Sequence, residues 1–462
     1  MRGLARWLFL GTLVAAPWLY GVTTAWAIEL VSGMLGLVLA IWVASLLLDR
    51  RWPMVPRTLV VLAGLILLQG WWMVVNAHAI YDPTFRLFAP LAAFLPSAPG
   101  SADYVLSFTW MLRATVLLGV VCLVAEIAQR PVWLLRLWYA LAIAGGSIAL
   151  LGLVQKGTGA QMIFWQPAAP ADAKTFFATY YYHANAGAFL NLVLPAIAGL
   201  ALWTVARSAR NFPRTVSATT LLIVVMAVFS NTSRMAQAVG VLIMMALVAA
   251  VVRPAARIIA RAEKRTLLVG VLLVAVTALA IAQAAQLDKP LVRWQEFTKQ
   301  MPVDARWAAN RAALSAVGDS ALFGFGPGSF RAVFPHYQQA FKGRLQGSWR
   351  FLHDDYLQTL LEWGWIGSAL IAALFFGGIV IAVRSYLRGQ RWSKRQRLLL
   401  PCVVLALFGV AIHAAVDFPL QILSIQLFVA TYLGICWGSV RWNEDSEWKR
   451  SRSSSRPAAS DP

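Results

Sequence analysis

The run His353-Asp354-Asp355-Tyr356-Leu357-Gln358-Thr359-Leu360-Leu361-Glu362-Trp363-Gly364-Trp365-Ile366-Gly367 leads from polar sequence into an apolar stretch. A free imidazole titrates at about pH 6.5, so a histidine at the start of that helix is suited to take the proton of a hydroxyl nucleophile. Asp354 and Asp355 favour the positive end of the helix, and Asp354 and Tyr356 are candidate substrate contacts. Arg234 lies in Ser230-Asn231-Thr232-Ser233-Arg234, a polar break between two apolar segments. An arginine there is costly unless it faces protein, water or an anion. Arg306 opens a predicted helix in Asp304-Ala305-Arg306-Trp307-Ala308-Ala309-Asn310-Arg311. Two guanidinium groups brought together form a fork for a diphosphate. Arg311 stands roughly 140° round the same helix, so it and Arg306 cannot both point straight at one ligand; it is a secondary candidate. Arg113, in the middle of an apolar run, must be paired or line a cavity, and is a candidate for the path of a lipid diphosphate.

Other motifs carry less. His78 and His413 are read as structural hydrogen-bonders. Gly324-Phe325-Gly326-Pro327-Gly328-Ser329-Phe330 has the look of a phosphate loop. It has no strand before it and no lysine after it, and Pro327 removes a donor, so it is read as a tight turn. Asp417, beside Phe418-Pro419, is read as structural. No metal-binding spacing of His, Cys or paired carboxylates is found, and no metal or cofactor is expected. Cys122, Cys402 and Cys436 sit inside apolar stretches and form no disulfide framework.

The elements that must position these residues follow from composition. The chain has 462 residues, 60% hydrophobic and 13% charged, with a mean hydropathy of +0.66. Soluble domains average about 45–50% apolar and about 25% charged residues, which excludes a single water-soluble globule. Apolar runs long enough to cross a bilayer as helices recur throughout. The expected fold is an all-α polytopic membrane protein of about twelve spans, near 7–24, 28–48, 57–77, 105–127, 132–154, 184–206, 216–231, 235–252, 266–285, 360–383, 398–416 and 419–440. Alternation then puts most of the 40 Lys and Arg residues on one side. By the positive-inside rule that side is cytoplasmic and holds both termini. The net charge of +21 is thereby a topological signal rather than a nucleic-acid one. Arg2, the first apolar run and Ala25-Trp26-Ala27 mimic a signal peptide, but a second span follows at once and the segment is read as retained.

Three outer segments, 78–104, 155–183 and 286–359, exceed simple turns. The expected organisation is nine spans over 1–285, a partly helical periplasmic lid at 286–359 between spans nine and ten, spans ten to twelve over 360–440, and a disordered cytoplasmic tail at 441–462. The cytoplasmic loops are too short to form a catalytic domain, so any chemistry belongs to the outer face.

With these residues set out, the chain resembles the O-antigen ligase and O-antigen polymerase superfamily. His353 through Gly367 is similar to the family's histidine and Gly-x-x-Gly signature. Support comes from Tyr182-His183-Ala184-Asn185-Ala186-Gly187, Ser233-Arg234, Arg306-Trp307-Ala308-Ala309-Asn310 and Ala415-Val416-Asp417-Phe418. The resemblance spans about 180–420; the first 150 residues match in hydropathy alone. It implies a metal-independent glycosyltransferase of the bacterial inner membrane. The donor it implies is an undecaprenyl-diphosphate-linked glycan, and the acceptor is lipid A core or a lipid-linked repeat. Carried over, His353 activates the acceptor hydroxyl and Arg234 and Arg306 hold the diphosphate, with His183 and Asn185 as further substrate contacts. Asp354 departs from the family, whose ligases usually carry Asn, Ser or Gln after the histidine. The alternatives are a glycan transporter or flippase and a protein O-oligosaccharyltransferase. Transporters favour midplane polar residues, whereas the ionisable candidates here gather at one face, with Arg113 the main exception.

Overall fold

A computed structural model of the chain describes residues 1–82, 84–85, 87–167, 176–207, 211–259, 305–320, 322–388 and 392–442. The span expected at 266–285, the first part of the large loop and the tail beyond 442 lie outside the described residues. In chain order the helices are α1 (Arg2–Ala15), α2 (Ala25–Leu48), α3 (Arg57–Val75), α4 (Tyr104–Ile127), α5 (Pro131–Gly157), α6 (His183–Arg207), α7 (Asn211–Ser230) and α8 (Arg234–Ile259). They continue with α9 (Ala305–Ser320), α10 (Phe330–Gln338), α11 (Asp355–Arg388), α12 (Lys394–Ala414) and α13 (Leu423–Gly438). Among the described residues, eight helices, α2 to α7 with α11 and α12, are long and apolar enough to cross a membrane. Among the described residues the fold is a helical bundle with one two-stranded sheet. Ala79–Asp82 (β1) and Leu87–Pro90 (β2) form an antiparallel hairpin, with Ala79 opposite Pro90, inside the segment read as an overlong loop.

Several expected spans have different bounds, and two of the differences bear on how the bundle is joined. The first helix begins at Arg2 and ends at Ala15, where Pro17 starts a pair of 3₁₀ turns, Ala16–Trp18 and Tyr20–Val22. Proline cannot supply the next amide donor, and carbonyls freed in a bundle need partners. Thr179 donates to the Pro17 carbonyl at 2.6 Å and Ser424 to that of Gly21 at 2.6 Å. The tenth span begins earlier than expected, at Asp355, and is interrupted at Gly364.

Charges sort to the two ends of the bundle. At one end Glu126, closing α4, accepts from Arg51 at 2.6 Å and Trp42 at 3.3 Å and lies 3.8 Å from Arg6; Arg2 pairs with Asp49. The other end carries the hairpin, residues 176–182 and the segment 305–354. There α9 buries an alanine face, Ala308, Ala309, Ala312, Ala313 and Ala316, against Phe330, Phe334, Leu352 and Leu361. This second small core fixes the segment to the start of α11.

The interruption of α11 is the joint that matters for the site. Gly364 has φ +62° and ψ −170°, a conformation open essentially to glycine alone. The break frees carbonyls of the preceding turn, and the Gly324 turn takes them: Phe325 N–H donates to Leu361 O at 3.0 Å and Gly326 N–H to Glu362 O at 2.9 Å. Ile366 N–H returns a bond to Leu322 O at 3.1 Å. A Cβ on Gly364 would stand 2.4 Å from both Gly324 N and Leu322 O. Gly364→Ala is therefore expected to destabilise the protein by roughly 1–3 kcal/mol from backbone strain alone, read as a lower melting temperature in detergent. Gly318→Ala, whose Cβ would meet nothing within 4 Å, should be neutral or mildly stabilising.

Candidate functional site

His353 lies two residues before α11, at the end opposite Glu126. Its Nδ1 is 3.0 Å from Asp417 Oδ1, in the turn between α12 and α13. Asp417 also accepts from Phe418 N–H at 3.0 Å, and Tyr182 Oη donates weakly to its Oδ2 at 3.4 Å. Three rings fix the imidazole plane: Phe418 at 4.9 Å, Trp349 at 5.8 Å and Tyr182 at 6.1 Å between centroids, each near edge-to-face. Arg306, on the first turn of α9, donates through Nη2 to Tyr182 Oη at 3.0 Å and through Nη1 to Val416 O at 3.3 Å. Arg306, Tyr182, Asp417 and His353 thus form one connected cluster drawn from four separate stretches of chain.

The electrostatics of the cluster are consistent with these bonds. Burial works against ionisation of Asp417. The His353 hydrogen bond and the charges of His353, His413 and Arg306 outweigh it and hold the carboxyl below the usual range. Burial, followed by the Asp417 charge, pushes the Tyr182 hydroxyl well up, so it is a neutral phenol donating to Asp417. Burial likewise raises Asp354, against backbone bonds from Leu357 and Tyr356.

The structure brings some expected residues into this cluster and gives others different partners. The carboxylate on the imidazole is Asp417, not the neighbouring Asp354. Asp354 Oδ1 caps the first turn of α11 through Leu357 N–H at 3.0 Å. Asp355 accepts from Leu420 N–H at 2.7 Å and Gln421 Nε2 at 2.9 Å, which binds α11 to the Asp417 turn. Tyr356 donates its hydroxyl to Ala411 O at 2.7 Å. His183 is buried beside Tyr182, with ring centroids 5.0 Å apart, and its carbonyl accepts from Asn231 Nδ2 at 2.8 Å. Asn231 in turn accepts from Ser233 N–H at 2.8 Å, and Arg234 follows as the first residue of α8. The polar break before α8 is thereby tied to the Tyr182 side of the cluster. Asn185 is buried, with Oδ1 unpartnered. Arg311 is exposed on the far side of α9.

Arg113 is elsewhere. It is buried over the Trp110 ring at 4.4 Å, donates to Gln426 Oε1 and Gln421 O at 2.6 Å each, and lines a separate cavity. The Gly324–Phe330 turn is structural, as read, but it does cradle an anion: its Gly328 and Phe330 N–H groups donate to the Glu362 carboxylate at 3.0 and 3.2 Å. Among the described residues no three His, Cys, Asp or Glu side chains group as a metal site. Two members of the cluster escaped the sequence reading as site residues, Asp417 and Tyr182. Both lie in stretches that carried the family resemblance, and an acid at a turn on the histidine's side of the bundle was the available signal.

Comparison with known proteins returns one family. Residues 218–372 match the family model described as O-antigen ligase, a stretch that holds Arg234, Arg306, His353 and the Gly364 break. No curated protein matches the chain.

The depressed Asp417 pKa has a definite linkage. Its stabilising contribution is fully present above the unfolded carboxylate value, about 3.9, and is lost as pH falls through the lower folded value. Asp417→Asn should cost roughly 1–3 kcal/mol at neutral pH. The gap to the parent should narrow below about pH 4, as measured by thermal unfolding of the detergent-solubilised proteins across pH. A gap that widens on acidification contradicts the assignment.

Proposed function

We propose, from the match of residues 218–372 to the O-antigen ligase family model, that the chain is a membrane glycosyltransferase of that kind, moving a glycan from undecaprenyl diphosphate to an acceptor hydroxyl without a metal. The observation that carries this reading is the His353 Nδ1 to Asp417 Oδ1 contact at 3.0 Å, beside the Arg306 guanidinium. With Nδ1–H donated to a buried carboxylate, the imidazole tautomer is set and Nε2 is left as the base. The acceptor hydroxyl gives its proton to Nε2 as its oxygen bonds to the anomeric carbon. The bond from that carbon to the diphosphate oxygen breaks, and the electron pair leaves with the lipid diphosphate. Asp417 stabilises the imidazolium that forms.

Negative charge grows on the leaving group as this bond breaks. Guanidinium groups already in place stabilise that charge more than they stabilise the bound donor, which is what lowers the barrier. Arg306 is held by Tyr182 and Val416 before any substrate arrives, so little reorganisation is left for the reaction itself. Arg234, at the start of α8, is the second cation of the proposed pair. The cation-rich end with Arg2, Arg6 and Arg51 is assigned to the cytoplasm by the positive-inside rule. His353 then faces the periplasm of a bacterial inner membrane. An acceptor on lipid A core makes the protein a ligase, and one on a second lipid-linked repeat makes it a polymerase.

Purified protein supplied with a lipid-linked donor and acceptor should transfer glycan with no ion gradient and in the presence of a chelator. His353→Ala should abolish transfer, and Arg306→Ala or Arg234→Ala should each lower it on the order of 10²–10³-fold while melting like the parent. Asp417→Asn should lower kcat with KM little changed, because it acts through the imidazole. Full transfer by the His353 variant sinks this reading, and donor movement across the bilayer without transfer replaces it with transport.

A further inference from the structure

A second cationic cavity lies on the far side of an aromatic layer from His353. Phe351 lines it and packs on Phe418 at 5.1 Å, and Phe418 in turn packs on the imidazole. The cavity, of about 170 Å³, is lined by Arg113 and Gln421 with Arg331, Arg350 and Glu362. Three arginines face one acid, and that acid already accepts from Gly328, Phe330 and Gln358. Arg350 also has Phe351 beneath its guanidinium at 5.4 Å. Burial and then the nearby Arg331 charge lower its pKa, as for like charges with no anion between them.

Two further observations say what kind of ligand fits. Gln421, 6% exposed, holds Oε1 buried with no hydrogen-bond partner. An unpaired buried acceptor costs about 1–3 kcal/mol, which a donating hydroxyl from a ligand recovers. The Arg113 bonds to Gln426 and Gln421 use Nε and Nη2, and Nη1 has no partner among the described residues. Beside the cavity lies an apolar crevice of about 210 Å³, between α3, α4, α11 and α13, and Trp110, Glu362 and Gln421 line both. Ala114, Leu117, Val121 and Leu433 line that crevice, in the part of the bundle that crosses the membrane.

We propose that the cavity and crevice together form a second lipid site, taking a membrane lipid whose headgroup carries a phosphate and a sugar hydroxyl. The hydrocarbon chain lies in the crevice, the phosphate meets Arg113, Arg331 and Arg350, and the hydroxyl donates to Gln421 Oε1. A free anion has no use for the crevice, and a neutral lipid has none for three guanidinium groups. Charge complementarity in the cavity and an apolar crevice adjoining it therefore select a lipid phosphate. If the proposed transferase reading holds, this lipid is the acceptor, bound on the opposite side of Phe351 and Phe418 from Arg306.

The test uses full-length protein in detergent carrying Arg234→Ala and Arg306→Ala, which remove both proposed donor cations, and counts bound farnesyl phosphate by native mass spectrometry. Binding should weaken at least about tenfold in Arg331→Ala/Arg350→Ala, which removes two charge-assisted contacts. It should weaken by a similar factor in Ala114→Phe, which narrows the crevice without touching a charge. Neutral farnesol should bind more weakly than farnesyl phosphate, and inorganic phosphate should not displace it. Affinity within about twofold of the parent in both variants overturns the site, and so does displacement by inorganic phosphate. These readings do not depend on transfer and stand or fall without it. In the protein with Arg234 and Arg306 intact, Arg331→Ala/Arg350→Ala should raise KM for the acceptor and leave KM for the donor unchanged; a rise in donor KM instead overturns the acceptor assignment.

Discussion

The docking of the Gly324 turn onto the break in α11 is the constraint on which the rest of this end of the bundle depends. A helix entering a membrane cannot leave carbonyls unpaired, and the left-handed residue at Gly364 frees those of Leu361 and Glu362. Phe325 and Gly326 satisfy them at 3.0 and 2.9 Å, so turn and helix are held by backbone bonds rather than by side-chain packing. The same docking aims the Glu362 carboxylate back at Gly328 and Phe330. His353 enters α11 just ahead of this joint, and its position is inherited from it. The cavity around Arg113 is inherited too, since Gln358 and Glu362 form one of its walls.

A second joint, the turn from α12 to α13, brings Asp417 under the imidazole. Asp355 holds that turn through Leu420 and Gln421, so the helix that follows His353 also grips the segment that follows Asp417. The two partners of the 3.0 Å contact are therefore positioned by one rigid connection. Phe418, Trp349 and Tyr182 close the ring on three sides, which restricts its rotation as well as its tautomer. Preorganisation of this kind lets a weak base act without a reorganisation cost at the moment of proton transfer.

Much of this was legible in the residues. Apolar runs located the eight described helices that are long and apolar enough to cross a membrane, and Arg306 does lie in the first turn of a helix whose alanines pack as a face. His353 was legible by type and place, as a lone imidazole at a helix entrance. What the chain hid were contacts that only tertiary structure creates. Asp354 is next to His353 in sequence, yet its side chain is committed to capping α11. Asp417 is 64 residues away and supplies the hydrogen bond. The 3₁₀ turns around Pro17 depend on Thr179 and Ser424, which no local pattern announces. The hairpin at 79–90 is short and bears no alternation strong enough to stand out from a loop.

Buried acids separate structural from chemical roles in a chain so poor in negative charge. Asp103 accepts from Leu106 N–H at the start of α4, Asp355 from Leu420 N–H, and Glu362 from Gly328 and Phe330 N–H. Each of these carboxylates stands where a helix starts or breaks and satisfies backbone donors that would otherwise be orphaned. The donors to these carboxylates are amides, which do not titrate near neutrality. Asp417 does the same for Phe418 N–H, but its Oδ1 is also shared with an imidazole, and a phenol and a guanidinium complete its surroundings. A carboxylate whose only task was to satisfy a turn would gain nothing from a titratable partner and would face a desolvation cost for each added charge. The proton-accepting step proposed for His353 would draw on this arrangement, because a carboxylate on Nδ1 stabilises the imidazolium as it forms.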